Sequence, residues 1–62
     1  MKYYHLMIRV QNEYYPVNWD DARVCWAASG IKPTRFSPAQ RELVHEEVVE
    51  IFKPGEYKWV QV

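Results

Sequence analysis

The feature that most constrains this chain is the alternation of its side chains from Tyr3 to Val10. One set of alternate positions is almost entirely apolar and consists of Tyr4, Leu6, Ile8 and Val10. The other set is Tyr3, His5, Met7 and Arg9. A period of two residues is typical of a β-strand with one face on the core. Because a slip of one residue would bury a histidine and an arginine, the sequence predicts that Tyr3, His5 and Met7 face away from the core.

A second strand is predicted directly after the first. Gln11-Asn12-Glu13 is a short polar break, and Tyr14-Tyr15-Pro16-Val17 has the aromatic and β-branched side chains of a strand. Proline cannot donate a backbone hydrogen bond, so Pro16 indicates a short strand at the edge of a sheet. We therefore expect a β-hairpin from residue 3 to about residue 17.

The next stretch has the signals of a helix. Asn18 is a suitable N-cap, and the two aspartates that follow would lie in the first turn, where carboxylates favour the helix dipole. The helix is predicted over Trp19–Ser29, with Cys25 as a small buried packing residue. Gly30 fits the position that follows a helix, from which Ile31 would pack back on the last turn.

A second helix has the strongest local signal in the chain. In Ser37-Pro38-Ala39-Gln40, the serine is an N-cap, the proline fits the first helical position and the glutamine completes a capping box. The helix is expected to end at about Phe52 or Lys53. Its apolar stripe consists of Val44, Val48, Ile51 and Phe52, with Leu43 on the flank. An acidic stripe on the opposite side consists of Glu42, Glu46 and Glu50.

A last strand completes the predicted fold. Pro54-Gly55 is a turn signal, and Tyr57–Val62 is rich in aromatic and β-branched residues. The element order is then β-β-α-α-β, an α+β fold in which a three-stranded antiparallel sheet carries two helices on one face. Pairing of the last strand with the first would place the first strand at the centre. We expect a single domain over residues 1–62.

Size and composition limit how such a domain is stabilised and where it resides. The chain has 62 residues and one cysteine, so no internal disulfide can form. Small chains without disulfides or a structural metal depend on dense packing or on self-association. Three tryptophans, five tyrosines and two phenylalanines supply the apolar area.

The lone cysteine favours a reducing cytoplasmic location, and no apolar run approaches the roughly 20 residues of a membrane span.

The charge distribution argues against a generic nucleic-acid binder. The formal net charge is zero, whereas such binders carry a basic surface. Residues 1–36 carry five basic and three acidic side chains, and residues 37–62 carry three basic and five acidic ones. This imbalance fits either two solvated faces or a surface that orients a partner.

No combination of residues predicts catalysis. Cys25 with His5 or His45 is the one cysteine–histidine option, and a mid-helix thiol among apolar neighbours lacks the electropositive setting of a nucleophile. The same three residues lack the spacing of a zinc site. Two isolated glycines cannot form a phosphate-binding loop. The acidic second helix is unsuited to the recognition role in a helix-turn-helix. We expect no enzyme activity, no metal and no cofactor.

Two features predict a binding surface. The outward face of the first strand carries Tyr3, His5 and Met7, and Tyr57 and Trp59 would join it if the valines of the last strand face inward. Exposed aromatic and methionine side chains are typical of protein interfaces. The acidic stripe of Glu42, Glu46 and Glu50 would favour a basic partner.

The expected function is that of a small interaction module. It would act as an inhibitor, adaptor or modulator by occupying a surface of a larger protein. By analogy of size, it would suit a phage or mobile-element inhibitor of a host factor. Single-stranded nucleic-acid binding by base stacking on the sheet aromatics is the alternative, and a plain homodimer is a third interpretation.

Overall fold

The fold, described by a computed structural model, is a small α+β domain. The structure describes residues 2–20 and 31–62, together with the backbone of residues 23–26. Its elements are the strands β1 (Tyr4–Val10), β2 (Glu13–Asp20) and β3 (Arg23–Trp26), the helix α1 (Pro38–Ile51) and the strand β4 (Tyr57–Gln61). The strands lie in the order β3-β2-β1-β4 with every pair antiparallel. The predicted three-stranded antiparallel sheet with the first strand at its centre is confirmed as β2-β1-β4.

The hairpin between β1 and β2 closes with two residues. Val10 is paired with Glu13, so Gln11 and Asn12 form the turn. The backbone φ angle of Gln11 is 60°, in the left-handed region. Two-residue hairpin loops need this region because it matches the twist of the flanking strands. The predicted hairpin is therefore confirmed. The prediction that its second strand is short and lies at an edge is wrong, since β2 continues to Asp20 and lies between β1 and β3.

Pro16 marks the place where β2 leaves β1. The pairing of β2 with β1 reaches Pro16, and its pairing with β3 begins at Val17. The connector of residues 31–36, which precedes α1, lies between β1 and β2 where these two strands separate. Phe36 exchanges two backbone hydrogen bonds of 2.9 Å with Tyr4, and the Thr34 N–H donates to the Val17 carbonyl at 3.3 Å. A residue without an N–H suits this change of partner, because it cannot continue a ladder on both sides.

The helix predicted over Trp19–Ser29 is wrong wherever the structure describes this stretch. Its first residues belong to β2, and four more form β3. Asn18 is not an N-cap, since its Nδ2 donates to the Lys32 carbonyl at 3.0 Å. The Trp19 N–H donates to Thr34 Oγ1 at 2.7 Å. A helix cap contributes about 1 kcal/mol of stability. Strand pairing together with the complete burial of Val17 stabilises the observed structure by more than that.

Other parts of that prediction lie outside the described residues. This applies to the proposed helix end at residues 27–30, including Gly30, and to the side chain of Cys25. Ile31 is described and is exposed. The described residues contain one helix, so the prediction of two helices on the sheet is not confirmed.

The helix α1 begins as predicted. Ser37 Oγ accepts a hydrogen bond from the Gln40 N–H at 3.3 Å, and Gln40 Oε1 accepts one from the Ser37 N–H at 3.0 Å. This is a complete capping box, with Pro38 in the first turn. The helix ends at Ile51, and Phe52 closes it with an N–H bond of 2.8 Å to the Val48 carbonyl.

The core lies between α1 and one face of the sheet. It consists of Leu6, Ile8, Val17, Phe36 and Val48, with Trp19, Val44, Phe52, Tyr57 and Trp59 partly buried around it. The row of α1 that reaches the core is Val44, Val48 and Phe52, spaced four residues apart. Ile51 falls outside this row and is 55% exposed, so its predicted place in the apolar stripe is wrong.

The turn before β4 is also as predicted. The Glu56 N–H donates to the Lys53 carbonyl at 3.0 Å around Pro54 and Gly55. Gly55 has a φ angle of 91°, which a type II turn requires at this position. The turn directs β4 back along β1. No helix in the described ranges is long and apolar enough to cross a membrane.

Candidate functional site

The face of the sheet opposite α1 is the first candidate surface. Directly paired residues share a face, and Met7 is paired with Pro16 on one side and Lys58 on the other. His5 is paired with Val60, and the Val62 N–H donates to the Tyr3 carbonyl at 2.8 Å. We define the outer face as Tyr3, His5, Met7, Arg9, Tyr14, Pro16, Lys58, Val60 and Val62. None of these side chains belongs to the core cluster.

The outer face contains the three predicted residues of β1. Tyr3, His5 and Met7 are half-buried, as expected for side chains flanked by neighbours on a sheet. The valines of β4 extend the apolar area, since Val60 is 38% and Val62 is 55% exposed. The one helix that the described residues form lies on the other side of the sheet. This surface therefore presents a methionine and two valines that the core does not use.

The prediction that Tyr57 and Trp59 lie on the outer face is wrong. Trp59 is paired with Leu6 and Tyr57 with Ile8, so both aromatic side chains point toward α1. Both are partly buried against the core. One side of β4 carries the two aromatic rings and the other carries Val60, so the sequence pattern alone does not determine which side faces the core. The larger rings bury more apolar area and so occupy the inner side.

One end of the outer face is basic. The Lys58 Nζ lies 4.3 Å from the centre of the Tyr14 ring. The Tyr14 hydroxyl donates to the Gly55 carbonyl at 2.7 Å, so this side chain reaches from β2 to the turn before β4. Arg9 is exposed between these two strands. The outer face is therefore apolar toward the start of β1 and positively charged toward the hairpin turn.

A second candidate surface lies where α1 meets β4. A groove of about 510 Å³ is lined by Arg41, Glu42, His45, Glu46 and Trp59, and we call it the edge groove. Trp59 is fixed on one side by the ring of Phe36, in an edge-on contact with centroids 5.2 Å apart. Its Nε1–H donates to His45 Nδ1 at 3.2 Å. The tryptophan is thus both a core side chain and a groove wall.

The hydrogen bond with Trp59 orients the ring of His45. An indole nitrogen can only donate, so Nδ1 of His45 is the acceptor in this bond. The His45 ring also meets Tyr57 edge-on, with centroids 5.8 Å apart. Sequence reasoning did not assign His45 or Arg41 to a binding surface. Their spacing of four residues places them on one helix row, but no local signal shows which strand that row faces.

The acidic stripe is exposed as predicted. Glu42, Glu46 and Glu50 all lie in solvent on α1. The last turn of the helix contains no basic residue that would offset them. Only the first two line the edge groove, so the structure separates Glu50 from the others.

The side chains that could bind a metal ion are dispersed over the described residues. Within them, no three histidine, cysteine, aspartate or glutamate side chains lie close enough together to hold a metal ion. The Tyr15 hydroxyl donates to Glu13 Oε2 at 2.7 Å. This hydrogen bond to a carboxylate raises the pKa of Tyr15. The pair lies at the hairpin end on the inner side of the sheet and does not line the edge groove.

Comparison of the chain with models of known protein families found no match, and neither did comparison with curated protein sequences or with solved structures. The function must therefore be argued from the two surfaces.

Proposed function

We propose that this protein is a non-catalytic interaction module that binds a protein partner through the outer face. The observation that carries the proposal is the one-sided packing of the sheet. Leu6 and Ile8 are covered by α1 and the connector, whereas Met7 and Val60 lie on the side without a described helix. Aromatic, methionine and aliphatic side chains gathered on one surface are typical of protein interfaces.

The charges of the outer face indicate the chemistry of the partner. Arg9 and Lys58 border the apolar area at the hairpin end. A partner that buries this area would fit best with an apolar patch bordered by acidic side chains. In this proposal the protein acts by occupying that patch, as an inhibitor, adaptor or modulator. A cytoplasmic location is part of the proposal and is supported by the single cysteine. The narrower proposal of a phage-type inhibitor of a host factor is supported by chain size alone.

Protein binding is favoured over binding of single-stranded nucleic acid. Base stacking needs aromatic faces that are open on the sheet, and Tyr57 and Trp59 are turned toward α1. Lys58 lies over one face of the Tyr14 ring. The net charge of zero provides little attraction for phosphates. The alternative therefore loses two of the aromatic side chains on which it depended.

The test compares one acidic substitution on each side of the molecule. Val60→Glu places a charge on the outer face, and Leu43→Glu places the same charge on α1 at a residue that is 70% exposed. Immobilised wild-type and variant proteins are incubated with nuclease-treated lysate, and the retained proteins are identified. We expect one protein to be retained by the wild type and by Leu43→Glu, and to be lost with Val60→Glu.

Thermal unfolding of both variants is the control, since both side chains are exposed and should be replaced at little cost. Loss of binding with Leu43→Glu but not with Val60→Glu would contradict the proposal. So would a wild-type dimer, measured by light scattering, that Val60→Glu dissociates, because a second copy would then cover the outer face.

A further inference from the structure

The outer edge of β4 presents backbone groups that no described strand uses. The Arg9 N–H donates to the Glu56 carbonyl at 2.7 Å, and the Val62 N–H donates to the Tyr3 carbonyl at 2.8 Å. Backbone directions alternate along an antiparallel strand. The N–H and C=O groups of Tyr57, Trp59 and Gln61 therefore point away from β1. Within the described ranges, β4 is an edge strand with β1 as its only neighbour.

This edge lacks several of the features that prevent strand addition in natural proteins. Natural edge strands are protected by prolines, bulges or inward-pointing charges. Tyr57–Gln61 contains no proline or glycine, and its five residues pair with β1 in an unbroken register. The one charged side chain, Lys58, is directed to the outer face, where it lies over Tyr14. The geometry of β4 thus permits another strand to pair with it.

The edge groove lies where a side chain of such a strand would point. A residue directly opposite Trp59 would project to the same face as Trp59, which is the face covered by α1. There it would meet the edge groove, whose carboxylates are those of Glu42 and Glu46. The groove is large enough for a long side chain at about 510 Å³.

The charges within the groove favour a cation. The guanidinium of Arg41 lies 4.4 Å from the centre of the Tyr4 ring, so its charge is already engaged with that ring. His45 Nδ1 is occupied by the Trp59 indole. Glu42 and Glu46 line the groove and are exposed. A lysine or arginine would pack its apolar stem on the indole and bring its charged end to these carboxylates.

We propose that β4 binds an extended segment of a protein partner as an added strand, with a lysine or arginine opposite Trp59 in the edge groove. The unpaired backbone selects an extended chain, and the two glutamates select the basic side chain. Peptide segments are bound at sheet edges in this way when side-chain pockets lie beside the edge. This site is separate from the outer face, so either proposal can fail without the other.

The probe is a seven-residue peptide, Thr-Val-Thr-Lys-Thr-Val-Thr, capped at both ends. Its two companions carry norleucine or glutamate in place of the central lysine. Each is titrated into isotope-labelled protein, and backbone amide shifts are followed by NMR. We expect the lysine peptide to shift the amides of Tyr57, Trp59 and Gln61, with the norleucine peptide about fivefold weaker and the glutamate peptide weaker still.

Matched variants identify the role of the groove. Glu42→Gln with Glu46→Gln should remove the preference for lysine over norleucine, whereas Glu50→Gln, on the same stripe but outside the groove, should retain it. N-methylation of alternate amides in the lysine peptide should abolish the shifts, because it removes the donors that pair with the edge.

Three outcomes would overturn the proposal. The first is an absence of shifts in β4 up to about 1 mM lysine peptide, a weak affinity that strand addition with a charge contact should reach. The second is equal binding of the lysine and norleucine peptides. The third is a set of β4 shifts that appear on concentrating the protein alone, since a second copy would then occupy the edge.

Discussion

The two faces of β1 use neighbouring residues of one strand in different ways. Leu6 is 0% and Ile8 is 5% exposed, and both contact the core under α1. Met7 lies between them in sequence and belongs to the face without a described helix. The inner face obtains its apolar contacts within the chain. The outer face mixes apolar side chains with His5, Arg9 and Lys58, and it does not contribute to the core.

Because of this difference, one face of β1 contributes mainly to folding stability and the other is available for binding. Residues of the inner face are held by burial, so their replacement should first affect folding. Residues of the outer face are tied mainly through backbone pairing, which most side chains permit. An apolar surface that folding does not require is the kind of surface that a partner covers. Stability and partner binding should therefore respond to different substitutions on the same strand.

The largest expected effect is the contrast between Leu6→Ala and Met7→Ala. Leu6→Ala removes a fully buried side chain, and it should lower the free energy of unfolding by about 2–5 kcal/mol. Met7→Ala should lower it by about 1 kcal/mol or less. Urea denaturation of both variants measures the contrast. Equal losses would mean that the outer face is packed as tightly as the inner one.

The strand alternation and the start of α1 were predictable because their signals are local. The period from Tyr3 to Val10 assigned the faces of β1, and Ser37 with Gln40 located the N-terminus of the helix. Each depends on side chains a few residues apart. The Pro54-Gly55 turn was predictable for the same reason, since it needs only a residue that adopts a positive φ.

The remaining features depend on distant contacts. Asn18 looked like a helix cap, but its amide meets Lys32 and the strand it belongs to pairs with β3. The faces of β4 were ambiguous because each side carries apolar side chains, aromatic rings on one side and valines on the other. The edge groove exists only because α1 places His45 against Trp59. A pattern within one element cannot predict which element it will meet.

A smaller effect is expected at the cap that holds α1 over the inner face. Ser37→Ala removes the acceptor of the Gln40 N–H and should lower the free energy of unfolding by about 0.5–2 kcal/mol. Ser37→Asp retains an acceptor and serves as the control. Thermal or urea unfolding provides the measurement, and an unchanged midpoint in the alanine variant would mean that the cap does not stabilise the helix.

The smallest effect concerns Tyr15 and Glu13, which lie at the hairpin end on the inner side of the sheet. The carboxylate of Glu13 raises the pKa of Tyr15, so Glu13→Gln should lower that pKa toward its ordinary value. A raised tyrosine pKa contributes stability that is fully present below the unfolded pKa and is lost as the pH rises through the folded pKa. NMR titration of the Tyr15 ring carbon tests this, and an unchanged titration in Glu13→Gln would exclude Glu13 as the cause.

The most direct test of the difference between the faces is solvent access measured on the free protein. A soluble gadolinium chelate broadens the NMR signals of methyl groups that it can approach. We expect strong broadening for the methyl groups of Met7 and Val60 and little for those of Leu6 and Val48, at a protein concentration where light scattering gives a monomer. If Met7 and Val60 are as protected as Leu6 and Val48, the outer face is already covered within the chain, and it cannot be the surface that binds a partner.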